Sequence, residues 1–297
     1  MLRLMPTTTT PDGVRLHYEV HGEAGEPVLL IMGLGTDRHL WERQIPAFSA
    51  RHRVITFDNR GVGDSDRPPG PYSTATLAAD ALRVLDAVGV ARAHVVGLSM
   101  GGMIAQRLVL SAPERVGALV LAATYARPDA SISAISGDAA ATLGAKAVGG
   151  GPASPLAMIM SGAFDLASLD MRSLFRFLVS LVFSDEFIAR EKEWLRQIWQ
   201  RAAARELPVH GFLGQVAAVL THDTTEELRH VTRPTLVLTG DKDRLVPPHH
   251  SDELARLIPG ARLTKIHGGH HGFNVEQADE FNRAVLDFLA EHPLSSA

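Results

Sequence analysis

The feature that most constrains this chain is a set of short strand-like runs, several of them almost wholly apolar, separated by helix-like stretches. Residues 27–32 read PVLLIM and residues 53–57 read RVITF; 94–98 (HVVGL) and 118–123 (ALVLAA) follow. Much later come 235–239 (TLVLT) and 262–266 (RLTKI). A strand with one wet face alternates apolar and polar residues, as 14–20 does. A strand apolar along its whole length must be covered on both faces, the condition of a parallel sheet between two helical layers. The intervening segments supply such layers. Residues 74–88 repeat Leu77, Ala81, Val84, Leu85 and Val88 at helical spacing and stop at Gly89. Residues 99–111 read as a helix ended before Pro113, and 276–289 as a C-terminal helix with Phe281, Val285, Phe288 and Leu289 on one stripe. This alternation predicts an α/β fold with a mostly parallel, doubly wound sheet.

The rhythm breaks after Tyr125. Ala, Gly, Ser and Pro dominate 131–155, and helical, aromatic-rich segments follow, with Phe164, Phe175, Phe183, Trp194 and Trp199. Strand patterns resume at Arg233. We expect one core domain made of residues 1–125 and 230–297, interrupted by a helical cap at 126–229. The aromatic and Met residues of that insertion divide between cap core and pocket roof, and none is nominated as a site residue.

Composition narrows the class further. The net charge of −4 and the lack of any long Lys/Arg run give no basic face for nucleic acid. The absence of cysteine removes disulfides, thiol catalysis and Cys-ligated metals, and fits a reducing compartment. No window approaches the ~20 apolar residues of a membrane helix, and the first residues lack the apolar stretch of a signal peptide. A cytoplasmic location is the expectation. His249-His250 and the trio His267, His270, His271 are His-rich, but they show no H-E-x-x-H spacing, so no metal is expected.

The sharpest local signal is Gly97-Leu98-Ser99-Met100-Gly101, which matches G-x-S-x-G between a strand run and a helix run. A serine forced onto so tight a turn adopts a strained backbone that lifts its hydroxyl clear of the sheet, and its neighbours must be small. The helix behind it offers unpaired N–H groups and the positive end of a dipole, suited to a developing oxyanion. The alternative is a glycine-rich turn with a helix-capping serine.

In that strand–turn–helix setting the elbow resembles that of the α/β-hydrolase superfamily. Asp58-Asn59-Arg60-Gly61-Val62-Gly63-Asp64-Ser65 is similar to the D-x-R-G-x-G-x-S loop of its esterase and lactonase branches. Segments 35–46, 70–72 and 112–120 read similarly to 3-oxoadipate enol-lactonases and related small esterases. The resemblance implies an α/β-hydrolase fold: a mostly parallel, doubly wound eight-stranded sheet with a helical cap insertion. It also implies the chain order serine, acid, histidine. The 58–65 loop is read as structural, with Asp58 and Arg60 bonded to backbone or to each other.

Carried onto this sequence, the resemblance makes Ser99 the nucleophile. The ending G-x-G-H aligns its histidine with His270, with His271 as runner-up. The pattern G-x-x-D-x-x-x-P, here Gly240 to Pro247, gives Asp243 as the acid, with Asp241 as the competing, structural aspartate. The oxyanion hole falls on the backbone N–H groups of Met100 and Leu34, the latter in the Met32-Gly33-Leu34-Gly35 loop, where the family often has a histidine in place of Met32. That Gly-x-Gly is no dinucleotide fingerprint, because Arg38 occupies the third-glycine position.

The expected activity is therefore a cofactor-free serine hydrolase that cleaves a carboxylic ester or lactone through an acyl-enzyme. Its partner would be a small, hydrophobic, uncharged substrate, with neither nucleic acid nor membrane involved; a homo-oligomer is compatible with the sequence. Carbon–carbon bond hydrolysis and perhydrolase or haloperoxidase chemistry use the same triad and stay open, as does a non-catalytic, receptor-like member of the fold.

Overall fold

The computed structural model describes residues 6–129, 171–203 and 209–294. Their strands are β1 (Thr7–Thr9), β2 (Arg15–His21), β3 (Glu26–Ile31), β4 (His52–Phe57), β5 (Ala93–Leu98), β6 (Val116–Ala122), β7 (Thr235–Gly240) and β8 (Arg262–Ile266). They form one eight-stranded sheet in the order β1-β2-β4-β3-β5-β6-β7-β8. From β4 to β8 every neighbouring pair in that order is parallel; the pairs β1–β2 and β2–β4 are antiparallel. The eight-stranded α/β-hydrolase architecture expected from the sequence is thus present.

The apolar runs are two-faced, as a covered sheet requires. Along β3, Leu29 and Ile31 enter one core while Val28 and Leu30 enter the other. Along β6, Leu119 and Leu121 join the first core and Ala118, Val120 and Ala122 the second. The first core is closed by α2 (Thr74–Ala87) and α3 (Met100–Ser111), which contribute Leu77, Ala81, Val84, Ile104 and Leu108. The second is closed by α1 (Ile45–Ser49) and by the C-terminal helix, through Phe48, Phe281, Val285 and Leu289. Ser73 starts α2 by accepting the Thr76 N–H at 3.0 Å, which satisfies a donor the helix itself cannot.

The connections fix where a ligand can bind. After β3 the chain passes to β4 on one side; after β4 it crosses back to β5 on the other side of β3. At such a reversal the loops leaving the carboxyl ends of the two strands diverge and open a crevice. Here those are the loops after β3 and β5, which carry Gly33–Gly35 and Ser99.

The 58–65 loop is structural, but its pairing differs from the expectation. Asp58 does bind backbone, accepting the N–H groups of Arg38 and Asp64, both at 2.8 Å. Its side-chain partner is Arg38, at 2.6 Å, and not Arg60. Arg60 instead grips Asp80 on α2, at 2.6 and 2.7 Å, and Asp12 at 2.8 Å. The chain turns between Asp58 and Arg60, so the guanidinium reaches the neighbouring helix.

Between β6 and β7 lie α4 (Met171–Val182), α5 (Asp185–Arg190), α6 (Lys192–Ala203) and α7 (Val209–Leu220). Phe183, Phe187, Trp194 and Leu195 pack with Val275 of the core in a small cluster of their own. Phe175 meets Trp199 at 5.1 Å between ring centroids. These aromatics hold the helical segment together. Met158, Met160 and Phe164 fall outside the described residues. No helix among the described residues is long and apolar enough to cross a membrane.

His222, just beyond α7, is buried against Thr74, whose hydroxyl lies 3.0 Å from its Nδ1. Burial pushes its pKa from the ordinary 6.5 down to about 3. In the unfolded chain the ring protonates below 6.5, whereas in the fold it stays neutral. Below pH 6.5 the unfolded state therefore binds the extra proton and stability falls, by about 1.4 kcal/mol per pH unit, until the fold protonates too near pH 3. Denaturant melts at pH 7, 5 and 4 test this. His222→Gln, which cannot titrate, should show a shallower loss of stability with acid than the wild-type chain; an unchanged slope would contradict the assignment.

Candidate active site

Ser99 sits between β5 and α3 with φ +56° and ψ −120°, a left-handed conformation that a residue with a side chain seldom adopts. Strain of this kind persists only where the surroundings over-determine it. Here they do. The Ser99 N–H donates to the Ala122 carbonyl at the end of β6 (2.8 Å), and its own carbonyl accepts from Gly102 N–H (2.9 Å). The crowding explains the glycines: a Cβ on Gly101 would lie 2.0 Å from the Ile31 carbonyl oxygen, and one on Gly97 would lie 2.2 Å from the Gly101 oxygen. Ser99 makes no side-chain capping bond to α3, so the helix-cap reading fails and the hydroxyl is left for other work.

The loop after β3 closes on this serine. A Cβ on Gly33 would stand 3.2 Å from Ser99 Cβ and 3.7 Å from Oγ, a tight approach that the bare backbone of glycine relieves. The loop is pinned by three bonds. Asn59 Nδ2 donates to the Met32 carbonyl (3.1 Å) and the Thr36 hydroxyl to the Gly33 carbonyl (3.1 Å). Gly35 N–H donates to Gln215 Oε1 on α7 (2.8 Å), and Gln215 Nε2 donates in turn to the Arg60 carbonyl (2.8 Å). Among the described residues neither Leu34 N–H nor Met100 N–H is taken by an acceptor. Gln215, fully buried, is a residue that sequence reasoning missed. Its one signal was a lone amide in the otherwise largely apolar stretch VHGFLGQVAAVL.

The acid and the imidazole lie two and three strands away from β5, in the loops after β7 and β8 on the same edge. Asp243, in the loop after β7, is buried; its Oδ1 accepts the N–H groups of Leu245 (2.9 Å) and Val246 (2.8 Å). These two bonds orient the carboxylate so that Oδ2 faces a ring nitrogen at 2.8 Å, and that nitrogen is Nδ1 of His271. His271 is itself buried. With Asp243 accepting, the proton sits on Nδ1 and the Nε2 lone pair is left as a base.

The ring on Asp243 is thus His271, one residue beyond the His270 expected from the sequence. The Nδ1 of His270 is buried without a hydrogen-bond partner among the described residues. The cause lies in the backbone. Lys242 N–H donates to the Gly269 carbonyl at 2.8 Å, which locks the two loops together at 269. Downstream, Gly272 N–H donates to the Val182 carbonyl at the end of α4 (2.8 Å). Between those anchors the chain turns only one of the two imidazoles toward Asp243. A His-His doublet is symmetrical to a motif, and only the side-chain direction tells its members apart.

Asp241, the competing acid, is a loop brace. It accepts the Gly268 N–H at 2.7 Å and lies 2.9 Å from Nδ1 of the exposed His267. Ser99 Oγ makes no hydrogen bond to either histidine among the described residues; such bonds are often long in an empty site and tighten around substrate.

The sheet order, the strained serine elbow and the loops gathered at one carboxyl edge define an α/β hydrolase. Comparison with known proteins agrees: the alpha/beta hydrolase fold family model matches residues 26–277. A relative from Azorhizobium caulinodans, provisionally named a carbamate hydrolase, RutD, is 34% identical over 276 residues, covering 93% of this chain and 95% of its own. A crystal structure of a hydrolase from Pseudomonas aeruginosa superposes with a TM-score of 0.80 at 33% identity, over 97% of this chain and 99% of that one. The enol-lactonase from Burkholderia xenovorans gives 0.79 at 29% identity, over 96% and 100%. The chain belongs to the α/β-hydrolase family, and hydrolase is its activity class.

Proposed function

We propose that the protein is a serine hydrolase cleaving a carboxylic ester or lactone, with Ser99, His271 and Asp243 as its triad. The observation that carries this reading is the 2.8 Å contact between His271 Nδ1 and a buried, doubly braced Asp243, on the sheet edge that also presents the strained Ser99. Ser99 Oγ adds to the substrate carbonyl as His271 Nε2 takes its proton. Asp243 holds the resulting imidazolium. The oxyanion receives the N–H groups of Leu34 and Met100, an interaction whose loss costs ~10²–10³ in rate when one donor is removed. His271 then protonates the leaving alkoxide, and water, deprotonated by the same ring, releases the acid from Ser99. In a lactone the leaving oxygen stays tethered and the product is one hydroxy acid. Nothing in this sequence of steps needs a cofactor. Helices α4 to α7, within the 126–229 insertion, act as the cap, and Gln215 ties that cap to the oxyanion loop.

The enol-lactonase likeness supports the lactone reading. The RutD relative favours a second one, a carbamate, whose carbonyl would undergo the same addition with a different leaving group. A panel of p-nitrophenyl acyl esters of graded length, aliphatic lactones and simple carbamates, assayed on purified protein, decides between them. Ester and lactone turnover exceeding carbamate turnover in kcat/KM is the expected result. Carbamate turnover alone would overturn the substrate class, and turnover of none would overturn the catalytic reading.

A further inference from the structure

Across the carboxyl edge from Ser99, three more side chains converge. Asp129 follows β6, while His249 and His250 open α8 (His249–Leu257), just past the loop that holds Asp243. His249 Nε2 lies 2.9 Å from one Asp129 oxygen, and His250 Nε2 lies 3.4 Å from the other. The two rings are 4.2 Å apart and tilted by 32°, so both nitrogens face one carboxylate. The ligand atoms of all three residues lie within 4.8 Å of one another. We propose that Asp129, His249 and His250 form a binding site for a divalent transition metal of the Zn²⁺ or Ni²⁺ kind.

The spacing fits the chemistry. First-row ions bind imidazole nitrogen and carboxylate oxygen at about 2.0–2.2 Å, so two donors on one ion stand roughly 3 Å apart. Two nitrogens with one carboxylate suit zinc, nickel or copper, whereas magnesium and calcium want oxygen throughout. The site is also held. The His250 side chain is wholly buried and lies against the Tyr125 ring at 5.5 Å, and the Tyr125 hydroxyl is bonded to the Val219 carbonyl. The other side is open: the His249 and Asp129 side chains are 54% and 41% exposed, which admits an ion and leaves coordination positions to water. A bound ion would cross-link the chain leaving β6 to the start of α8. Sequence spacing could not reveal this, because Asp129 and His249 are 120 residues apart.

Isothermal titration of zinc chloride into tag-free full-length protein, first stripped with EDTA, tests the site. One saturable zinc per chain is expected, with a rise in thermal midpoint on binding. His249→Ala and Asp129→Asn should each weaken binding by roughly tenfold or more, on the scale of removing a metal site's supporting partner. Their midpoints without zinc report that they fold. His267→Ala, which removes the exposed ring beside Asp241, should leave binding unchanged. No saturable heat in the wild-type chain, or equal zinc binding by His249→Ala and Asp129→Asn, would overturn the proposal.

Discussion

Ser99→Ala is expected to lower kcat on an activated ester by on the order of 10⁶-fold, the scale of removing a nucleophile that acts as one unit with its base. The thermal midpoint should barely move. The elbow is held by backbone bonds to Ala122 and Gly102, which the substitution leaves in place, and the left-handed φ of +56° strains alanine no more than serine. A stopped enzyme with an intact fold separates a chemical role from a structural one. If the alanine variant retained appreciable turnover, the reacting oxygen would belong to another residue or to water.

The second large effect separates two neighbours. His271→Ala should be nearly as damaging as Ser99→Ala, because it removes both the base and the partner of Asp243. His270→Ala should keep activity within about tenfold of wild type, as befits a ring that makes no hydrogen bond to Asp243. Steady-state kinetics on one p-nitrophenyl ester, with both variants checked for folding, give the comparison. The reverse ranking would restore His270 as the base and leave the His271–Asp243 contact as a structural pair.

These two residues also mark where the sequence stopped being informative. The sheet was legible because a strand covered on both faces must be apolar on both, and 27–32, 94–98 and 118–123 are. The elbow was legible because Gly97 and Gly101 leave a trace of the crowding that shapes it. His271 was not, since adjacent histidines share every local property and differ only in which way the backbone turns them. The Arg60 partner was hidden for a related reason: Asp58 is near it in sequence, but Asp80 is near it in space. Gln215 and Asp129 each act on groups far away along the chain, Gln215 on Gly35 and Asp129 on His249, and no motif spans such distances.

The most direct measurement is covalent labelling by a fluorophosphonate, which reacts only with a serine whose hydroxyl a nearby base can deprotonate. Intact mass and peptide mapping should find one phosphonyl group on Ser99 in the wild type and in His270→Ala, and none in His271→Ala over the same interval. Equal labelling of the His271 variant, or a label mapped to any other residue, would contradict the account.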